Sequence, residues 1–324
     1  MREIVVHAPG DADVLQYEET DEPSPAPGQV VVRNHAVGVN FIDVYRRTGA
    51  YAGAFPSIPG TESAGVVAAV GEGVSGIRVG DRVASAAVRG AYAEFSAVDA
   101  DQVVAIPDAV TFEDAAAVLL QGMTAHYLTF DTFPLEIGET ALVHAAAGGV
   151  GHLLVQIASK QRGAIVIGTV STAEKAEYAR SCGAAYQVNY SESDVVEEVR
   201  RITEGRGVDV VYDSVGRDTF EASLACLRPR GMLVLYGQSS GAVQSFDPQV
   251  LNSRGSLFLT RPKLADYTRD ASELCRRAGD LFRWLASGEL QVRVDRSWPL
   301  ADATEAHRYL EGRGTRGKLL LIPG

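Results

Sequence analysis

The segment Thr140-Ala-Leu-Val-His-Ala-Ala-Ala-Gly-Gly-Val-Gly151 could cradle a pyrophosphate. Small residues let backbone approach an anion. A helix starting at these glycines would aim its unpaired N–H groups and positive dipole end at the phosphates. The spacing, A-x-x-G-G-x-G, departs from G-x-G-x-x-G, so its weight comes from context. Ala141-Leu-Val reads as a buried strand before the turn. Val150, Leu153, Leu154, Ile157 and Ala158 recur at helical spacing after it, and Ile165-Val-Ile-Gly-Thr-Val-Ser171 supplies a second strand. The whole is a dinucleotide-binding βαβ unit, with Gly148, Gly149, Val150 and Gly151 at the pyrophosphate turn.

The end of the second strand selects the cofactor. A chain that binds NAD places an acid there, about 20 residues past the turn, on the ribose 2′-hydroxyl. Here the strand ends Gly168-Thr-Val-Ser171, Lys175 follows one turn into the next helix, and no carboxylate precedes Glu174. A hydroxyl and an ammonium suit a 2′-phosphate, which a carboxylate would repel, so the expected cofactor is NADPH. Taken alone, Lys175 is a solvated helix lysine; its place after an acid-free strand end argues for a phosphate contact. Ser214, at the end of a later strand, and Tyr236-Gly237-Gln238-Ser239 lie where ligands gather in doubly wound sheets.

The elements that must hold these residues fall into two kinds. Residues 1 to about 120 are rich in short strand candidates (30–33, 64–70, 81–84 and 91–96) broken by glycine turns, with one short helix at 41–48. Thr111-Phe-Glu-Asp114 then reads as a helix N-cap leading into residues 115–120. From about 125 to 260, strand candidates at 141–145, 164–170, 186–189, 208–212, 232–236 and 256–260 alternate with helices, which predicts a parallel sheet covered on both faces. An amphipathic helix over 273–287 and strands at 290–294 and 318–322 follow. The C-terminal tail is expected to return to the first domain, giving a β-rich domain of 1–124 together with 262–324 and a nucleotide domain of 125–261.

A chain of 324 residues exceeds what one core usually serves. With 30 basic against 41 acidic residues it carries no nucleic-acid footprint and no attraction to an anionic membrane. Three scattered cysteines fit a reducing compartment, and neither a secretory leader nor a membrane-spanning run is apparent, so a cytoplasmic location is expected.

From end to end the chain resembles the zinc-free medium-chain dehydrogenase/reductases, and within them the NADPH:quinone oxidoreductases related to zeta-crystallin. The resemblance rests on Gly38-Val-Asn-Phe-Ile-Asp-Val-Tyr45, Thr48-Gly-Ala-Tyr51, Pro59-Gly-Thr-Glu-Ser-Ala-Gly65, His144–Gly151, Asp213-Ser-Val-Gly-Arg-Asp218 and Thr260-Arg-Pro262. It implies an α/β chain with a Rossmann doubly wound parallel sheet and a β-rich GroES-like catalytic domain. Zinc-dependent relatives carry a cysteine near Asn40, Gly-His-Glu where this chain has Gly60-Thr61-Glu62, and a four-cysteine lobe. Those ligands are missing, so no metal is expected.

The implied reaction is metal-independent transfer of a hydride, or of electrons, from NADPH to a quinone in the cleft between domains. An activated acceptor of that kind needs little acid catalysis. The resemblance makes Asn40 and Tyr45 the polar groups against the nicotinamide or acceptor, with Tyr51 stacking on or gating the pocket. On the residues alone, the other reading of Asn40 is a turn residue bonding its own backbone, and that of the tyrosines is packing or loop residues; Asp43 reads as structural. For the cofactor the family adds Phe41, Thr124, Tyr190, Phe258, Thr260, Arg261 and Arg313, with a structural ion pair as the other reading of Arg261. It further implies a homodimer joined through the Rossmann domains near Ser256-Leu-Phe-Leu. The alternatives are reduction of an alkenal or enone double bond, and a non-catalytic crystallin or RNA-binding role.

Overall fold

The computed structural model describes every residue of the chain except Arg313, and the expectation placed on Arg313 lies outside the described residues. The chain divides into two compact units, Met1–Met123 with Thr268–Gly324, and Thr124–Tyr267.

In chain order the first stretch holds β1 (Arg2–Val5), β2 (Gln16–Glu19), β3 (Gln29–Val39), α1 (Phe41–Arg47), β4 (Ser63–Val70), β5 (Arg82–Ser85), β6 (Phe95–Asp99), β7 (Val104–Ala105) and α2 (Phe112–Tyr127). The second unit follows with β8 (Thr140–Val143), α3 (Gly149–Gln156), β9 (Ile165–Val170), α4 (Ala173–Cys182), β10 (Tyr186–Asn189), α5 (Val195–Ile202), β11 (Val208–Asp213), α6 (Phe220–Cys226), β12 (Leu227–Leu235), α7 (Gln249–Ser253) and β13 (Phe258–Thr260). The chain closes with α8 (Ala271–Ser287), β14 (Val294–Pro299), α9 (Ala303–Glu311) and β15 (Lys318–Ile322).

The second unit is a parallel six-stranded sheet ordered β10-β9-β8-β11-β12-β13, the doubly wound Rossmann arrangement with its switch point between β8 and β11. Every residue of β8 and of β11 is buried, as central strands of a parallel sheet covered on both faces should be. The first unit is a GroES-like β-domain whose main sheet runs β14-β15-β3-β4-β5-β7, with β6 also on β3. Its C-terminal strand β15 lies antiparallel to β3, pairing Leu320 with Gly38. Among the described residues no helix is long and apolar enough to cross a membrane.

Two strand expectations shift. The candidate at 91–96 becomes a strand only from Phe95: the Ala91 and Tyr92 N–H groups go to the Gly60 and Pro59 carbonyls, and the Tyr92 side chain is completely buried. The candidate at 290–294 is strand only from Val294. Gly288, at φ 77°, ends α8, and Leu290 then hydrogen-bonds back to the Trp284 carbonyl. The helix expected at 115–120 is longer, running from Phe112 through Tyr127, with the Thr111 hydroxyl accepting from Asp114 N–H at 3.0 Å.

A buried chain crosses the β-domain core from Asp43 to Glu311. Arg47 Nη1 donates to His307 Nδ1 at 2.9 Å, so Nε2 carries the imidazole proton and donates to the Tyr92 oxygen at 2.9 Å. The Tyr92 hydroxyl in turn donates to Asp43 Oδ2 at 3.3 Å, and Arg47 forks onto Glu311 at 2.7 Å. Burial, helped by the Arg47 charge, holds the His307 pKa down to about 3, and burial pushes Asp43 up to about 7. The two oppose each other on acidification. Stability from neutral His307 is present above its ordinary 6.5 and is lost as pH falls towards 3, whereas stability from protonated Asp43 is present below 3.8 and lost as pH rises through 7. Removing the imidazole therefore leaves only the stabilising limb. Between pH 7.5 and 5.0, thermal unfolding of His307→Gln should shift upward relative to the parent's shift by roughly 4–8 °C, about 2 kcal/mol; identical shifts in the two proteins would refute the assignment.

Candidate functional site

At the carboxyl ends of the parallel strands, one side chain organises four elements. Asp213 closes β11, is completely buried, and accepts from Val215 N–H (2.8 Å), Gly216 N–H (3.0 Å), the Thr219 hydroxyl (2.7 Å) and the Ser223 hydroxyl (2.8 Å). Ser223 spends its only proton on Asp213, so its oxygen must accept from His144 Nε2 at 3.0 Å. His144 Nδ1 then accepts from the Thr169 hydroxyl at 3.0 Å. Burial lowers the His144 pKa and keeps the ring neutral, as this bonding requires. The ends of β8, β9 and β11 and the start of α6 are thereby locked in register.

On this frame sits the glycine turn. Ala145 takes a left-handed φ of 52°, Gly148 caps α3, and a Cβ added at Gly151 would lie 2.1 Å from the Ala145 carbonyl oxygen. The first demand on Gly151 is thus internal: only a glycine lets the helix start so close beneath the turn. The turn leaves the N-terminus of α3, at Gly149, Val150 and Gly151, at the carboxyl edge of the sheet beside the switch point.

Local hydrogen bonds shape the strand end that lacks an acid. Ser171 follows β9, Thr172 caps α4 by accepting from Lys175 N–H at 3.2 Å, and Lys175 stands one turn into the helix. Tyr190 N–H binds the Val170 carbonyl, and the Ser191 hydroxyl donates to the Ser171 carbonyl at 3.2 Å, which holds the chain at 190–191 against the end of β9. Tyr190 is half exposed. Thr172 and Ser191 were not singled out from the sequence, although Ser171-Thr172-Ala-Glu174 carries a recognisable N-cap pattern.

Ser214, Tyr236, Gly237, Gln238 and Ser239 are also brought together. Tyr236 N–H binds the Asp213 carbonyl at 2.8 Å and Ser239 N–H the Ser214 carbonyl at 3.1 Å; a Cβ at Gly237 would come within 2.5 Å of that same Ser214 oxygen. Thr260 ends β13, and Arg261 Nη1 reaches across to the Leu235 carbonyl at 3.1 Å, anchoring the guanidinium to the end of β12. Phe258 stands apart. It opens the short edge strand β13 and is 54% exposed, so its place is on the sheet's rim rather than among the loops. Thr124 lies buried within α2.

In the β-domain, α1 begins directly after Asn40. Phe41, Tyr45 and Tyr51 form a partly exposed aromatic strip, with ring centroids 6.1 Å apart for Phe41–Tyr45 and 5.1 Å for Tyr45–Tyr51. Asn40 is 5% exposed, and its amide is fully engaged inside the protein. Nδ2 donates to Gly38 O (3.3 Å) and Glu62 Oε2 (3.0 Å), while Oδ1 accepts from Gln121 Nε2 (3.1 Å) and Lys318 Nζ (2.8 Å). The sequence suggested a ligand contact or a local turn bond for Asn40; the bond to Gly38 O is local, and the rest of the amide's donors and acceptors go to Glu62, Gln121 and Lys318. Glu62, Gln121 and Lys318 were missed as site residues. Their one signal was a lysine at the head of an otherwise apolar strand, Lys318-Leu-Leu-Leu-Ile322. Among the described residues, no group of three or more His, Cys, Asp or Glu side chains is placed to hold a metal ion.

Comparison with known proteins closes the question of kinship. Residues 26–108 match the alcohol dehydrogenase GroES-like domain and residues 149–274 the zinc-binding dehydrogenase family. Quinone oxidoreductase 1 of Escherichia coli is 47% identical over 326 residues, covering 99% of each chain. The chain belongs to the quinone oxidoreductase family. The crystal structure of the Escherichia coli quinone oxidoreductase complexed with NADPH superposes with a TM-score of 0.98 at 46% identity and full coverage of both chains. A 2-haloacrylate reductase from Burkholderia sp is 44% identical over 330 residues, covering 98% of each chain.

Two glycines give opposite expectations. Gly151→Ala must push a methyl against fixed backbone and should lower the melting temperature by roughly 5 °C or more. Gly279→Ala, inside α8 with nothing within 4 Å of the added Cβ, should raise it by roughly 2–4 °C through helix propensity. Differential scanning calorimetry distinguishes them; an unchanged melting point in Gly151→Ala would remove the case for an internally imposed glycine.

Proposed function

We propose that the chain is an NADPH-dependent quinone oxidoreductase that works without a metal. The observation that carries this reading is the acid-free end of β9, where Ser171, Lys175 and Tyr190 gather beside an N-capped helix start. Neighbouring crystal structures described as complexed with NADPH support it. The residues present fit the dinucleotide: α3 begins at Gly149 and offers its N–H groups to a pyrophosphate, and no acid stands at the end of β9 to repel a 2′-phosphate. NADPH, when bound, supplies the hydride.

The chain's own part is to bind, orient and exclude water. Ser171 and Lys175 would hold the 2′-phosphate, Tyr190 would cover the adenosine, and the loops at Ser214, Tyr236–Ser239 and Thr260–Arg261 would line the remainder. Tyr45 and Tyr51, with Phe41, offer a planar aromatic acceptor a wall of matching chemistry. The balance is one quinone, one NADPH and one solvent proton giving hydroquinone and NADP⁺. The reduced oxygens are phenolate-like and take up protons readily, so no dedicated acid is required.

A second reading, reduction of an activated carbon–carbon double bond, is favoured by the 44% identical 2-haloacrylate reductase. A cytoplasmic homodimer completes the proposal, with the exposed edge of β13 around Phe258 as the contact. The net charge of −11 weighs against an RNA-binding role.

NADPH should be preferred over NADH by one to three orders of magnitude in kcat/KM, and Lys175→Ala should surrender about tenfold to a hundredfold of that preference, the worth of one charge-assisted contact of about 1.5–3 kcal/mol. Equal kcat/KM values for the two cofactors would end the assignment. A panel of ortho-quinones, para-quinones and alkenals, assayed by NADPH oxidation, should show turnover of quinones; activity confined to alkenals would establish the second reading. Chelators should leave the rate unchanged, and loss of activity restored by zinc would contradict a metal-free mechanism.

A further inference from the structure

The most heavily committed polar cluster of the β-domain lies behind the aromatic strip. Lys318 and Glu62 are both completely buried and pair through Nζ and Oε2 at 2.5 Å. Five elements meet around the pair. Lys318 opens β15, Glu62 immediately precedes β4, and Asn40 joins β3 to α1. From α2, Leu120 N–H reaches Glu62 Oε1 at 2.6 Å and Gln121 Nε2 reaches Asn40 Oδ1 at 3.1 Å.

Protons decide the orientation. An ammonium can only donate, so the Asn40 atom 2.8 Å from Lys318 Nζ must be Oδ1. The same oxygen receives the Gln121 amide, and Nδ2 is left facing the Glu62 carboxylate and the Gly38 carbonyl, both acceptors. Turning the amide over would set NH₂ against ammonium and oxygen against carboxylate. The charge on Lys318 therefore permits one orientation of Asn40, and the Asn40 backbone N–H is held in turn by Asp43 Oδ2 at 2.9 Å, closing the first turn of α1. Space is equally restricted: a Cβ at Gly38 would lie 2.2 Å from Glu62 Oε2 and 2.8 Å from Lys318 Nζ.

Buried ion pairs roughly break even against apolar groups of similar volume, so what this pair contributes is geometry more than net stability. We infer that Lys318, anchored by Glu62, is a positioning residue for acceptor reduction: it fixes Asn40 and so sets the start of the helix that carries Phe41 and Tyr45. This rests on the reading of the chain as a reductase with the aromatic strip at its acceptor.

The test is the double variant Lys318→Met with Glu62→Gln. It removes both charges, keeps an acceptor for Leu120 N–H, and deletes the donor that pins Asn40. Its melting temperature should stay within about 5 °C of the parent, and its Kd for NADPH, read by fluorescence quenching, within about twofold, because the proposed contacts to the pyrophosphate and the 2′-phosphate lie on the other unit. Its kcat for the acceptor should fall about tenfold to a hundredfold, with KM changed less, as a displaced reacting geometry requires. Gly38→Ala, which crowds the same two atoms while deleting nothing, should show the same split. Parent-like kcat in both variants would overturn the inference, as would a loss of NADPH affinity equal to the loss of turnover, or failure of both variants to fold, which would make the cluster a folding requirement alone. A parent protein that oxidises NADPH with no quinone fails the functional reading separately. If it turns over alkenals instead, the same comparison is made with an alkenal.

Discussion

Each unit has a fully buried carboxylate at which several chain ends meet. Asp213 draws in two backbone N–H groups and two hydroxyls; Glu62 draws in a backbone N–H, an amide and an ammonium. A buried charge is tolerated only where its lone pairs are filled, so each carboxylate dictates where the surrounding chain ends must stand. Strand termini are the weakest part of a sheet, because their backbone groups run out of partners. Placing an anion among them turns that weakness into a fixed arrangement, and the loops that follow the strands inherit it.

The two carboxylates solve the same problem by different means. Asp213 is compensated by neutral dipoles, arranged so tightly that the proton positions of Ser223 and His144 follow from donor counting. Glu62 faces a full positive charge, which adds direction: an ammonium imposes the sense of every hydrogen bond downstream of it. Polarity in the β-domain is therefore transmitted from a strand at one end of the chain to the cap of a helix near the other, from Lys318 to Asn40.

Much of the nucleotide-binding unit was legible in the sequence because its signals are local. The glycine turn, the apolar strands around it and the missing acid after β9 lie within about 35 residues, and the αβ alternation needs no long-range contact to be read. The β-domain was harder. Asn40 could be seen as a polar residue at a helix start, but its partners come from positions 62, 121 and 318, and only the sheet topology brings them together. The strand expected from Ala91 starts later because the Ala91 and Tyr92 N–H groups go to the Gly60 and Pro59 carbonyls, and Phe258 stands at the rim because β13 is the last strand of its sheet. Residue type announced these positions; partner identity did not.

The antiparallel pairing of β15 with β3 bears on how the molecule is made. The Rossmann unit is an unbroken stretch that leaves the ribosome in one piece, whereas the β-domain's sheet is still missing the strand between β14 and β3 until residues 318–322 emerge. During synthesis, β3 thus travels with an open flank through most of translation, and the nascent polypeptide completes its first domain last.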